Sequence, residues 1–235
     1  MGFAGGNNVG INKALNDNAD YVLLINNDTV VKPDFLKILV SKMRFDKDIG
    51  IVAPQINYYD NPDKIWSAGG KIKKIRSSGF ARGDIYEKDI SANDRFVDFV
   101  SGCCMLIKKE VFQKVGLFDE KFFLYVEDTD FCYRVRKAGY KIFVVSSSKI
   151  FHKIHKSTQN ELQTIPLYYT TRNRLYLAKK NFPIFLFFTL LYISSSMFIK
   201  SIFWLLLGKL KNISSIQRAF KDFFRGKMGR AKGLL

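Results

Sequence analysis

The apolar residues of this chain fall into short runs separated by polar turns, and their spacing predicts alternating helices and strands. A helical spacing runs from about Asn8 to Asp17, and Tyr21-Val22-Leu23-Leu24-Ile25 is an apolar run of strand length that ends at Asn26. The pattern then predicts a helix over about Pro33 to Arg44 and strands over Ile49 to Pro54 and Phe96 to Val100. A helix near Lys109 to Val115, a helix from Asp128 to Ala138 stopped by Gly139, and a strand over Lys141 to Val145 follow. Residues 57 to 95, rich in Gly, Lys and Ser, keep no sustained period and predict a hairpin or a mobile flap. Alternation of this kind makes an α/β layered domain.

The pattern changes near residue 181. Pro183 to Gly208 is almost unbroken apolar sequence, interrupted by Ser194-Ser195-Ser196 and Lys200. Lys209, Lys211, Arg218, Lys221, Arg225, Lys227, Arg230 and Lys232 follow it against the single acid Asp222. An apolar stretch with a basic flank reads as membrane association from the cytoplasmic face. Lys200 leaves open whether the stretch spans the bilayer or lies on it as two shorter pieces, and a helical hairpin packed on the preceding domain is the remaining alternative. Two units are therefore expected: 1–180, the α/β domain, and 181–235, helical, apolar and basic.

With 235 residues, nearly half of them hydrophobic, the chain has enough apolar material for a sizeable core, which excludes a disordered chain. The net charge of +17 invites a nucleic-acid reading. Its concentration beside aliphatic and aromatic residues, with no recognisable binding motif, argues against that partner. Three cysteines fit neither a disulfide framework nor a metal-ligand spacing, and no signal-peptide pattern opens the chain. Adjacent Cys103 and Cys104 are expected as small apolar residues at the end of the strand Phe96 to Val100.

The candidate chemistry lies in two acidic sites. Glu127, Asp128 and Asp130 crowd directly after Phe122-Phe123-Leu124-Tyr125. Mutual repulsion and partial desolvation move at least one of these carboxylates towards the range of a general base. The same residues also suit a helix start, with Asp130 and Arg134 as an i,i+4 pair. In the second site the strand ending at Ile25 delivers Asn26-Asn27-Asp28 to its C-terminal end, where open α/β sheets bind ligands and where an Asp suits a hard cation held with phosphate oxygens. Asn-Asn-Asp is equally a turn sequence. Gly5, Gly6, Asn7 and Asn8 are expected to open a helix after a glycine-rich turn that lets backbone approach a nucleotide.

Taken in order, Gly2-Phe3-Ala4-Gly5-Gly6-Asn7-Asn8-Val9-Gly10, Asn26-Asn27-Asp28 with Pro33 and Phe35, Ser101-Gly102-Cys103-Cys104, Gly116-Leu117-Phe118-Asp119-Glu120, the Tyr125 to Arg134 block and His152 to Ser157 resemble the inverting nucleotide-sugar glycosyltransferases of family 2. The nearest likeness is to their rhamnosyltransferase-like branch, with a weaker match through Tyr169, Arg172 and Asn173. The resemblance implies a GT-A fold, a mixed Rossmann-like sheet flanked by helices, and transfer of a sugar from dTDP-rhamnose or a UDP-sugar to a glycan or lipid-linked acceptor. It implies Asp128 as the base, Asp28 as ligand to a divalent cation (Mg2+ or Mn2+), and Asn26 in support of the diphosphate or metal shell. Glu127 is implied in acceptor orientation and Asp130 in scaffolding. Gly5, Asn7 and Asn8 are placed on the donor side, and Trp66 and Gly102 on the acceptor side, though a buried core Trp is an equal reading. His152 falls in a His-x-x-x-x-Ser pattern, which raises metal or diphosphate contact beside a purely structural role. His155 stands where a small residue is expected. In family members a strand-helix unit precedes the Gly2 segment, so the chain is expected to be N-terminally truncated, leaving a hydrophobic sheet edge open. The rival reading is a non-catalytic membrane partner or glycan-binding remnant, which has no need of both Asp28 and Asp128.

Overall fold

In the computed structural model, which describes residues 1–81, 83–87, 94–153 and 164–233, the apolar runs become the inner strands of one mixed sheet. The chain runs α1 (Gly2–Asn16), β1 (Tyr21–Ile25), β2 (Thr29–Val31), α2 (Phe35–Phe45) and β3 (Ile49–Tyr58). Four short strands follow, β4 (Lys64–Ser67), β5 (Gly70–Lys73), β6 (Ser78–Ala81) and β7 (Ile85–Tyr86), and then β8 (Arg95–Val97), β9 (Cys104–Lys108), α3 (Lys109–Val115), α4 (Glu127–Lys137) and β10 (Lys141–His152). The main path of the sheet is β1-β9-β3-β10-β2, with β4 on β3, β7 on β4 and β8 on β10. Only β3 and β10 pair in parallel among the described strands.

Period-2 alternation sorts each inner strand between two layers. Val22 and Leu24, Met105 and Ile107, and Ile142 and Val144 face one layer, where Ala4 and Ile11 of α1, Val111 and Phe112 of α3 and Phe131 and Val135 of α4 complete the core. Leu106, Phe143 and Val145 face the other, against Phe35, Leu39 and Met43 of α2. This is the expected sandwich of a mixed sheet between helices, and β1 stands at the end of the strand path.

Four expectations are corrected. The helix expected from Asn8 begins at Gly2, so Gly5 and Gly6 lie inside it rather than in a preceding turn. Burial of Ala4 and Ile11, and the bond from the Ala4 N–H to the Phe123 carbonyl, outweigh the poor helix propensity of glycine there. The strand at residue 96 ends at Val97, and Cys104 opens a separate strand that pairs with β1, from Tyr21 opposite Lys108 to Ile25 opposite Cys104. Both cysteines are buried, which pushes their thiols up. The strand from Lys141 continues to His152, crossing an irregularity between Val145 and Lys149 where its partner changes from β8 to β2. Between residues 57 and 95 the described part is ordered as the β5–β6 hairpin and the β4–β7 pair; residues 82 and 88–93 lie outside the described residues.

The pattern gave no expectation for α5 (Thr164–Asn181), which leads into α6 (Leu186–Leu206) and α7 (Leu210–Phe224). Leu175 of α5, Ile193 and Met197 of α6 and Ile216 and Phe223 of α7 form their own core. The layer is fastened to the sheet domain at Asp130, fully buried, whose carboxylate receives Arg134 (2.8 Å), Lys180 (3.0 Å) and Asn181 (2.7 Å). Asp130 thus ties α4 to α5, the scaffolding duty read from its spacing to Arg134.

Candidate functional site

β1 ends at Ile25 and the chain turns through Asn26 and Asn27, closed by a bond from the Thr29 hydroxyl to the Asn26 carbonyl at 2.7 Å. β2 then pairs with the far end of β10, setting Thr29 opposite His152. This register brings the Asp28 carboxylate within 3.1 Å of His152 Nε2, in an orientation that makes no hydrogen bond. Asp28 Oδ1 and His152 Nδ1 are both buried without a hydrogen-bond partner among the described residues, and the Trp66 and His152 rings meet edge to face with their centres 4.6 Å apart. Buried polar atoms normally find partners, so an orphaned carboxylate oxygen beside an imidazole is a donor set that fits a divalent cation. No group of three or more His, Cys, Asp or Glu able to hold a metal occurs among the described residues. Two protein ligands suit an ion whose remaining positions are filled by diphosphate oxygens and water.

The second carboxylate centre is built by α4. Gly102 donates its N–H to Asp128 Oδ2 at 3.0 Å, and Thr129 donates its N–H to Oδ1 at 2.7 Å. A Cβ on Gly102 would stand 2.9 Å from the Phe3 ring, so only glycine permits this approach. The neighbouring Cys103 carbonyl accepts from the Asn26 N–H at 2.9 Å. One three-residue segment, Ser101 to Cys103, therefore touches both acidic centres.

Glu127 is buried at 5% exposure, and its Oε2 has no hydrogen-bond partner among the described residues. Burial, and then the neighbouring Asp128 charge, push its carboxyl up to about 8. Burial also raises Asp128, against the pull of the Gly102 and Thr129 N–H groups. Two adjacent desolvated carboxyls hold one proton more easily than none.

The remaining predicted residues divide. Gly5 is buried in α1 near the Glu120 carboxylate, and Asn7 donates to the Phe3 carbonyl within its own helix. Asn8 is buried, accepting from the Phe118 N–H and donating to the Phe118 carbonyl and to Glu120. Its amide braces the Phe118 to Glu120 loop. His155 and Ser157 lie outside the described residues.

Arg172 and Asn173 in α5 are what residue-by-residue reading missed, although the family likeness touched them. Asn173 donates to the carbonyls of Phe122 (2.8 Å), Leu124 (2.9 Å) and Tyr125 (2.8 Å), while fully buried Arg172 reaches Phe122 and Gly229. The loop they hold carries Phe123, Tyr125 and Val126 at φ of 64°, 67° and 75°, left-handed values that are unfavourable for such side chains. The available signal was a polar Arg-Asn pair set between the aromatic and aliphatic residues of this segment.

Comparison with known proteins places this geometry. A family model described as "Glycosyltransferase like family 2" matches residues 3–172. The low-salt glycan biosynthesis hexosyltransferase Agl10 of Haloferax volcanii is 27% identical over 74% of this chain and 55% of its own. The dTDP-rhamnosyl transferase RfbF of Shigella flexneri is 27% identical over 77% of this chain and 60% of its own. The N-acetylglucosaminyl-diphospho-decaprenol L-rhamnosyltransferase of Mycobacterium tuberculosis is 36% identical over a shorter stretch, 30% of this chain and 24% of its own. The chain thus spans little more than half the length of the long-matching relatives. A crystal structure of GalNAc-T7 with UDP, GalNAc and Mn2+ shares the fold at a TM-score of 0.57 and 17% identity, covering 76% of this chain and 34% of that one.

The raised Glu127 carboxyl has a consequence for stability. The folded protein keeps a proton that the unfolded chain releases, so this stabilisation is complete below 4.5 and lost as pH rises towards about 8. Urea midpoints measured across that range should fall for the wild type and fall much less for Glu127→Gln, which should be the more stable protein at the alkaline end by on the order of 1 kcal/mol or more. Parallel curves would show that Glu127 is ionised in the fold.

Proposed function

The chain belongs to glycosyltransferase family 2, and we propose that it moves a hexosyl or rhamnosyl group, from a UDP-sugar or dTDP-rhamnose, to a hydroxyl of a lipid-linked glycan with inversion, in cell-surface polysaccharide biosynthesis. The observation that carries the reading is the Asp128 carboxylate, held by the Gly102 and Thr129 N–H groups beside the buried Glu127.

Asp128 takes the proton of the acceptor hydroxyl while that oxygen forms its bond to the anomeric carbon. The bond from that carbon to the diphosphate oxygen breaks on the opposite face, and the electron pair leaves with the nucleoside diphosphate. Glu127, carrying its proton, donates a hydrogen bond to the acceptor without adding a second negative charge beside the base. Asp28 and His152 would hold Mg2+ or Mn2+, which would supply positive charge to neutralise the departing diphosphate. Trp66, expected on the acceptor side, packs on His152 instead and supplies a wall to this donor side. The Agl10 and RfbF names favour hexosyl or rhamnosyl transfer, and the decaprenol relative favours a lipid-linked acceptor.

The second part of the proposal concerns a membrane surface on the cytoplasmic side. Pro183–Leu206 has a mean hydropathy of 1.6 and is long enough to cross a bilayer. Its Ile193 and Met197 stripe, however, packs on α5 and α7, while Phe187, Phe188, Leu191, Phe198 and Phe203 on its other sides are exposed. A helix held along a folded layer by one stripe and apolar on the rest lies in the interface more naturally than it spans. The basic residues of 209–232 add electrostatic attraction to anionic lipid.

Three outcomes are expected. Asp128→Asn should lower the sugar-transfer rate on the order of a hundredfold or more while nucleoside diphosphate affinity, measured by calorimetry, stays within a few-fold. Near-normal transfer would remove Asp128 from the base role.

Asp28→Ala should abolish Mn2+-dependent strengthening of UDP or dTDP binding, with His152→Ala reducing it. Equal nucleotide affinity with and without Mn2+ in the wild type would end the metal proposal.

In flotation with anionic vesicles the protein should rise with the lipid, high salt should weaken but not abolish this, and detergent should release it. Complete release by salt would leave the apolar face of α6 without a role, and failure to float at low salt would end the membrane proposal.

A further inference from the structure

Resting on the transferase reading, we infer that the groove between the β5–β6 hairpin and the start of α6 binds the diphosphate and first isoprene units of a lipid-linked acceptor. The groove, of about 640 Å3, is lined by Lys74, Ile75, Arg76, Phe80, Phe185 and Tyr192. Its two halves have opposite chemistry, and each asks for a different part of one ligand.

The cationic half is uncompensated. The guanidiniums of Arg76 and Arg174 lie 5.5 and 5.8 Å from the centre of the same Tyr192 ring, and Arg174 Nε bonds the Arg76 carbonyl at 2.7 Å. Lys74 Nζ stands 5.7 Å from the Phe185 ring. No carboxylate among the described residues lies within ion-pair distance of Lys74, Arg76 or Arg174. Positive groups gathered this closely repel one another unless an anion joins them, and paired guanidiniums match phosphate oxygens. A diphosphate supplies enough charge for three cations.

The apolar half leads away from water. Ile75 and Phe80 are exposed on the hairpin, and Phe185, Phe188 and Tyr192 follow one another at helical spacing along α6, continuing into its uncovered face. A soluble nucleotide has no use for such a track, whereas an isoprenoid tail does. The other end of the hairpin reaches the reacting centre: the Gly79 N–H bonds the Thr129 hydroxyl at 3.3 Å, one residue from Asp128. Gly79 is three residues from Arg76, just past the turn at 74–77 and so at most about 10 Å of chain away, which sets a diphosphate held by Arg76 on the side of the hairpin that meets Thr129.

The test uses farnesyl diphosphate as probe, with inorganic pyrophosphate and anionic phospholipid vesicles as competitors, and binding is read by calorimetry on the full chain. Farnesyl diphosphate should bind at least tenfold tighter than pyrophosphate, and phospholipid should not displace it. Lys74→Glu with Arg76→Glu, both on an exposed turn, should weaken it tenfold or more with an unchanged melting curve, and Tyr192→Ala should remove the advantage over pyrophosphate. UDP and dTDP affinity should be untouched by these variants, just as Asp28→Ala should leave the probe bound. Equal probe affinity in wild type and the charge-reversed variant overturns the groove assignment, as does displacement by phospholipid, which would make it a general anionic-lipid surface. Intact probe binding in a protein that neither binds nucleotide nor transfers sugar would leave the groove standing and sink the transferase reading instead.

Discussion

The buried guanidinium of Arg172 and the amide of Asn173 hold the Phe122 to Val126 loop, and the placement of both carboxyls depends on that grip. The two N–H bonds of the Asn173 amide, shared among the carbonyls of Phe122, Leu124 and Tyr125, keep Phe123, Tyr125 and Val126 in left-handed backbone, at an intrinsic cost of about 1–3 kcal/mol each. Release of that loop would let the chain relax and rotate the start of α4. Asp128 would then leave the Gly102 N–H, and Glu127 would gain access to water and ionise. Of the C-terminal helices, α5 supplies this clamp while its other face carries α6 and α7.

Sequence made the inner elements legible because each combined a clear period with a turn or cap: β1, β3, α2, α3, α4 and the first half of β10 all fell near their expected places. Elements set by partners far along the chain were not legible. β9 begins at Cys104 because β1 and β3 flank it, and β10 continues through Ser146 and Ser148, polar residues held by Asp94 and by the Phe35 carbonyl. α5 mixes Tyr, Thr, Arg and Asn on its buried side, so apolar periodicity could not reveal it.

The site shows the same division. The local features of Asp28 and of Glu127-Asp128 could be read directly, as strand-end polarity and carboxylate crowding. The meeting of Asp28 with His152 needed the antiparallel register of β2 and β10, which joins residues more than a hundred positions apart. Asn8 looked like a nucleotide contact while it was only a residue in a glycine-rich run. In three dimensions its amide is occupied by Phe118 and Glu120. A polar side chain near a site is as often its brace as its contact, and hydrogen-bond capacity decides between them.

The place of β10 in the sheet sets an order for biosynthesis. This strand lies between β3 and β2, yet it is made last of all the strands. Until translation has passed His152 the described sheet is incomplete, and until then β3 exposes an apolar edge that only β10 covers among the described strands. Once β10 has left the ribosome, the apolar α6 is still to be translated. The sheet can therefore close in water before the greasiest segment of the chain emerges, and an intervening helix, α5, is already available to receive its Ile193 stripe. Moving α6 ahead of β10 by circular permutation would reverse that sequence, presenting a sticky helix to an unfinished sheet.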